Sequence, residues 1–133
     1  MLSWIRKLFG GAPSPEFVLP AEDQLTLTDR GLGIEILEAG EGEPPGPSDT
    51  VTVRYAGWLT SGLPFDKSYP GSATFPLNGV IEGWTEGLQQ LRPGGVARLV
   101  IPPHMAYGSR GAPPKIGPGA TLVFHVELLS IQR

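Results

Sequence analysis

Tyr55, the pair Phe65-Asp66, Val80-Ile81, Trp84, Tyr107 and Phe124 are the residues whose types and spacing could do chemistry in this chain. Most are aromatic, and no nucleophile stands among them. The chain has no cysteine, which removes thiol catalysis and disulfides. Its two histidines, His104 and His125, stand beside a Pro-Pro turn and inside a strand-like run. Neither has a histidine or carboxylate at metal-ligand spacing, so no metal and no cofactor is expected. What these residues can build is an apolar cup with few polar atoms. Such a cup suits binding, or a reaction whose barrier falls by selecting a conformation, because aromatic walls supply contact area with few rotamers to freeze.

The elements that must position these residues are legible from period and punctuation. Leu25-Thr26-Leu27-Thr28 alternates and predicts a short strand, and Gly33-Ile34-Glu35-Ile36-Leu37-Glu38 predicts a second after the Asp29-Arg30-Gly31 turn. Residues 41–49 read as a loop, since three prolines remove amide donors that a central strand needs. Val51, Val53 and Tyr55 then share one face at period two, with Thr52 and Arg54 opposite. Ala97, Leu99 and Ile101 repeat the pattern with Arg98 on the solvated side. Leu122, Phe124, Val126 and Leu128 do so again, which points Phe124 inward and His125 outward. Between these runs, Ile81, Trp84, Leu88 and Leu91 recur at helical spacing until Pro93-Gly94-Gly95 stops them. A helix this short needs a sheet to hold it. The fold class is therefore α+β, a twisted antiparallel sheet curled around one short helix. Composition and periodicity do not deliver the strand order.

Length and charge exclude other classes. The chain has 133 residues with 40% hydrophobic content, enough for one domain and a tail. Its 19 glycines and 15 prolines lie between the alternating runs, so they read as turns and not as low complexity. The net charge of -3 hides an asymmetry. Residues 16–49 carry nine acids against Arg30 alone, whereas from residue 50 onward four acids face seven bases. This reads as a solvated acidic lead-in beside a mildly basic domain, or as an acidic segment that docks on the basic side. No basic stripe suggests nucleic acid.

In order and spacing, five blocks closely resemble the FKBP family of peptidyl-prolyl cis/trans isomerases. They are Val51-Thr52-Val53-Arg54-Tyr55-Ala56-Gly57, Phe65-Asp66, Val80-Ile81-Glu82-Gly83-Trp84-Thr85-Glu86-Gly87-Leu88, Ala106-Tyr107-Gly108 and the run 120–129. The resemblance extends from about residue 31 to residue 131 and is specific, because separate blocks agree in type and order. It implies a five-stranded half-barrel (FKBP-like) with the pocket between helix and sheet. It also implies an enzyme, a rotamase that speeds X-Pro rotation in folding or regulated proteins without covalent chemistry. The alternative is a binding module that holds proline peptides with little turnover.

By the same resemblance, Asp66, Tyr107 and Ile81 carry catalysis. The Ile81 amide and the Tyr107 hydroxyl would donate to substrate carbonyls, and Asp66 would tune the pocket, for instance through Tyr55, without acting as a general base. Trp84 would form the floor under the proline ring. Tyr55, Phe65 and Phe124 would be walls, Val80 the rim, and Ile116 a further binding residue. Taken alone, Trp84 with Leu88 and Leu91 reads as core packing, Tyr55 and Phe124 as inward strand residues, Asp66 as a turn acid and Tyr107 as a wet loop aromatic. The neighbouring blocks change that reading.

Departures from the family pattern carry expectations too. Ala73 stands where an aromatic often flanks the pocket, Ala112 where a histidine can occur, and Lys115 where an apolar residue is common. Loop 109–119 should grip less tightly, so proline chemistry survives while binding of macrocyclic immunosuppressants is weak. The loop leaves no room for an inserted chaperone domain. Residues 1–20 read as an amphipathic tail with a Pro/Gly linker, and residues 21–133 as the isomerase domain. In the tail, Trp4, Ile5, Leu8 and Phe9 could share a helical face opposite Arg6 and Lys7, a pattern suited to a membrane surface, a partner or self contact through residues 1–10. Leu19-Pro20 is itself an apolar residue before proline, so segment 17–20 could visit this protein's own pocket or a neighbour's as an intrinsic competitor. With no signal peptide or transmembrane segment recognised, a cytoplasmic monomer acting on proline-containing polypeptides is expected.

Overall fold

The structure, a computed structural model, describes residues 13–133. Val51, Val53 and Tyr55 share one buried face because they alternate along the ten-residue strand β3 (Thr50–Leu59). β3 is the hub of the sheet. On one side it pairs antiparallel with β7 (Leu122–Gln132), from Thr50 opposite Gln132 to Leu59 opposite Leu122. On the other side, two short strands divide its length, β4 (Pro64–Lys67) and β5 (Ala73–Pro76). Beyond β7 lie β6 (Val96–Ile101), β2 (Gly33–Glu38) and the two-residue edge strand β1 (Thr26–Leu27). The order β1-β2-β6-β7-β3-β4, with β5 also on β3, thus has five positions across and β1 as an added edge. It is the antiparallel half-barrel expected, and every pairing is antiparallel.

The inner face follows the predicted parity. Ala97, Leu99, Ile101, Leu122, Val126 and Leu128 are fully enclosed in one core, and Phe124 is nearly so. A bulge in β7 then skips Leu129 between the pairs Thr52–Ser130 and Val53–Leu128, and Ile131 packs back on the core. On the outer face, Glu35 stands directly opposite Arg98 and Arg54 directly opposite Glu127, and each pair forms an ion pair, at 3.0 and 3.3 Å. Arg98 is therefore paired across the sheet, not simply solvated.

The helix is shorter than its apolar stripe. α1 (Glu82–Leu88) has seven residues, with Ile81 extended at its N-cap (φ -60°, ψ 150°). Leu91 lies beyond its end, where the amides of Gln90 and Leu91 donate to the carbonyls of Gly87 and Leu88. Both apolar residues still pack on the core. α1 rides close on β6 through two glycines that the stripe did not mark. A Cβ on Gly83 would lie 2.5 Å from Ile101 Cγ2, and one on Gly87 would lie 2.9 Å from Leu99 Cδ1. Only glycine permits this approach. No helix of the described residues is long and apolar enough to cross a membrane.

A second, smaller apolar cluster covers the outer face, formed by Ala56, Trp58 and Tyr69 with Phe17 packed against it. Phe17 meets Trp58 edge-on at 5.8 Å, and its ring lies over Gly62 in the β3–β4 turn. Pro20 is buried, whereas Leu19 is half exposed. In this structure Phe17 of segment 17–20 thus lies on the outer face and not in the aromatic pocket. Trp58, which the parity argument leaves on the outer face, offers the apolar seat that Phe17 takes. The amphipathic pattern of residues 1–10 lies outside the described residues.

Candidate functional site

Register brings the aromatic residues together. Gly57 on β3 stands opposite Phe124 on β7 and opposite Asp66 on β4. Because Gly57 has no side chain, Phe124 and Phe65 close over it. A Cβ there would lie 2.6 Å from Phe124 Cε1 and 2.8 Å from Phe65 Cζ. The two phenyl rings meet edge to face at 5.5 Å and 90°. One turn of sheet away, Tyr55 reaches across to the helix.

Trp84 is the floor on which these rings stand. It is 4% exposed and makes edge-to-face contacts with Tyr55 at 5.0 Å, Phe124 at 5.4 Å and Phe75 at 5.5 Å. This geometry sets ring edges against ring faces, the arrangement that quadrupoles favour. The indole N–H is buried without a hydrogen-bond partner among the described residues. Above the floor opens a cleft of about 490 Å³, lined by Tyr55, Phe65, Asp66, Val80, Tyr107 and Phe124 together with Gly79, Ile81, Phe75 and Ala106. That volume suits a proline ring with its neighbouring peptide groups.

The polar atoms are few and differ in their state. Tyr55 Oη donates to Asp66 Oδ2 at 2.7 Å, and the Lys67 amide donates to Asp66 Oδ1 at 2.9 Å. Both carboxylate oxygens are thus already engaged, which fits a positioning group better than a proton acceptor. Burial first, and then the hydrogen bond to Asp66, push the Tyr55 phenol well above its ordinary range. It stays protonated and remains a donor. By contrast, the Ile81 amide and the Tyr107 hydroxyl make no hydrogen bond to any described residue. Ile81 is the N-cap, so its amide precedes the helical ladder while its carbonyl accepts from Trp84 and Thr85 at 2.9 and 3.1 Å.

Of the residues singled out from the sequence, Tyr55, Phe65, Asp66, Val80, Ile81, Trp84, Tyr107 and Phe124 all line this cleft. Ile116 does not. It is 5% exposed and packs into the core, because a two-way backbone bridge with Ala112 at 2.9 and 3.2 Å turns it inward. It contributes to a neighbouring pocket of about 260 Å³ that shares Phe65, Asp66 and Tyr107 with the cleft. Phe75 was missed. β5 pairs Val51 with Phe75 and Val53 with Ala73, so Phe75 shares the inward face of Val51. Period two in Ala73-Thr74-Phe75 was the available signal, hidden by the brevity of the strand and by Pro76. The wall that Ala73 leaves small is thereby partly aromatic.

Comparison with known proteins agrees with this geometry. Residues 41–129 match the family described as FKBP-type peptidyl-prolyl cis-trans isomerase. The chain is 49% identical over 113 residues to the FKBP-type peptidyl-prolyl cis-trans isomerase FkpA of Escherichia coli K12, covering 84% of this chain and 42% of that protein. It is 44% identical over 106 residues to FK506-binding protein 1A of Emericella nidulans, covering 76% of this chain and 98% of that one. The crystal structure of Escherichia coli FkpA superposes with a TM-score of 0.80 at 43% identity, covering 98% of this chain and 57% of that one. The chain thus spans less than half of the bacterial relative and nearly all of the fungal one.

Proposed function

The chain belongs to the FKBP-type peptidyl-prolyl cis-trans isomerase family, and we propose that it accelerates rotation about X-Pro bonds by stabilising the twisted amide in the Trp84 cleft. The observation that carries this reading is an aromatic cleft whose two unpaired donors, the Ile81 amide and the Tyr107 hydroxyl, stand at its wall. Rotating a peptide bond costs about 18–20 kcal/mol in general. No bond breaks and no proton moves, so the enzyme need only bind the twisted amide better than either planar form. A rate gain of about 10⁴ requires roughly 5.5 kcal/mol. Contact of the proline ring with Trp84, Tyr55 and Phe124 and one or two hydrogen bonds supply energies of that size.

Each residue then has a task. Trp84 seats the ring. Ile81 and Tyr107 hold substrate carbonyls, which fixes the flanking chain while the X-Pro bond turns. Asp66 holds the Tyr55 ring against the floor through the 2.7 Å hydrogen bond, so the cleft keeps its width. Residues 21–133 form the catalytic unit, with Phe17 and its neighbours strapped on the outer face. The unit acts on proline-containing polypeptides.

A protease-free isomerisation assay on a Leu-Pro peptide tests the reading. Wild-type turnover is expected, with Asp66→Ala and Tyr107→Phe each lowering kcat/KM by roughly 3- to 30-fold in folded protein. Absence of turnover in folded wild type that still binds the peptide would establish the binding module instead. For macrocyclic immunosuppressants, titration should find affinity weaker than nanomolar, because Ala112 and Lys115 replace larger or apolar contacts on loop 109–119. Nanomolar binding overturns that part.

A further inference from the structure

The cleft does not end at its aromatic walls. Val80 is also a wall of a second groove, about 550 Å³ in volume, whose charged residues are Arg30, Glu82 and Glu86. At a different wall, Phe65, Asp66 and Tyr107 open on the pocket of about 260 Å³ that Ala112, with its short side chain, leaves unfilled and Lys115 borders. A polypeptide bound across the cleft therefore has room on both flanks of its proline.

Each flank presents one charged side chain that has no ionic partner among the described residues, Glu86 in the groove and Lys115 at the pocket. In the groove, Arg30 is paired with Glu82, while Glu86 makes no hydrogen bond or ion pair to any described residue. In the pocket, both oxygens of Asp66 are engaged by the Tyr55 hydroxyl and the Lys67 amide. Lys115 Nζ donates only to the Phe65 carbonyl at 3.3 Å, which anchors the ammonium at the end of the cleft without neutralising it. Among the described residues, Glu86 is thus a carboxylate and Lys115 an ammonium without an ionic partner, while Asp66, held by neutral donors, keeps its charge in the same pocket as Lys115.

We propose, on the reading of the cleft as an X-Pro isomerase site, that Glu86 and Lys115 set substrate choice. The preferred polypeptide carries opposite charges on the two sides of its proline, the basic side chain lying toward Glu86 and the acidic one toward Lys115. Exposed pairs of this kind are individually weak and screened by salt, yet two acting together also fix the direction in which the chain lies.

Two isomeric peptides test this, one with Lys two residues before Leu-Pro and Glu two residues after it, the other with these charges exchanged. Composition and net charge are identical, so only direction differs. At low ionic strength one peptide should be favoured about three- to tenfold in kcat/KM, and less so in high salt. The double variant Glu86→Lys, Lys115→Glu should reverse the preference. Because the ratio is read within one protein, any inactive fraction cancels. Equal rates for the two peptides, or a preference that the exchange leaves in place, overturns the proposal. If an uncharged Leu-Pro peptide is not turned over, the isomerase reading fails separately. The same two peptides, fluorescently labelled, then give a ratio of Kd values that decides the charge preference without turnover.

Discussion

Trp84→Ala should lower stability by about 3–5 kcal/mol, measured by urea unfolding, and should lower kcat/KM of the remaining folded protein by about 10- to 100-fold. The stability loss follows from removing a side chain that is 4% exposed and that three aromatic rings touch edge-on at 5.0–5.5 Å. The activity loss follows from taking away the surface on which the proline ring sits. Trp84→Phe separates the two effects. It sacrifices ring volume but also removes an indole N–H that is buried with no partner among the described residues, a burden of about 1–3 kcal/mol. We therefore expect Trp84→Phe to stay within about 2 kcal/mol of wild type. If it proves as destabilising as the alanine variant, the unpaired N–H carries no cost and the account of the floor is wrong.

The second large effect concerns Gly83 and Gly87. Replacing a helix glycine by alanine ordinarily gains about 1 kcal/mol. Here the sign should reverse. The new Cβ at position 83 would face three atoms of the Ile101 side chain at 2.5–2.8 Å, and the one at position 87 would face Leu99 at 2.9–3.0 Å. Ile101 and Leu99 are fully buried and cannot swing aside, so overpacking of about 1–3 kcal/mol outweighs propensity. Gly83→Ala should be the more damaging. Lifting α1 also moves Trp84 away from Tyr55, so activity should fall with stability. In a double-mutant cycle, Gly83→Ala combined with Ile101→Ala should cost less than the sum of the single changes. Strict additivity, or a gain in stability for Gly83→Ala, would show that the helix does not rest on β6 in this way.

These glycines illustrate what a pattern of apolar residues leaves out. The stripe Ile81, Trp84, Leu88 and Leu91 located the helix and its buried side, but it overstated the helix at both ends. Ile81 is extended at the N-cap and Leu91 lies past the last turn. Side-chain periodicity persists across a cap because both residues still reach the core, so it cannot mark where backbone hydrogen bonding stops. Likewise Trp58, Tyr69 and Phe17 form an outer-face cluster that no periodicity joins. They come together only because the β4–β5 connection, which carries Tyr69, and the incoming segment return to the same face. Phe75 escaped notice for a related reason, since its strand is four residues long and its direction is set by pairing with β3.

By itself the sequence determined the strand faces, the presence of one helix and the lack of thiol chemistry, and its resemblance to the family picked out the aromatic residues at the site other than Phe75. Those are local properties, fixed by alternation, helical spacing, turn residues and residue type. The tertiary structure alone decided that β4 and β5 share one side of β3, that Gly57 lets Phe65 and Phe124 close over it, and that Tyr55 engages Asp66 while Ile81 and Tyr107 stay unpaired. It also turned Ile116 into the core and set Glu86 and Lys115 on separate flanks of the cleft. Each of these depends on register between segments far apart in the chain, and register is an outcome of how faces pack together, which no single segment carries.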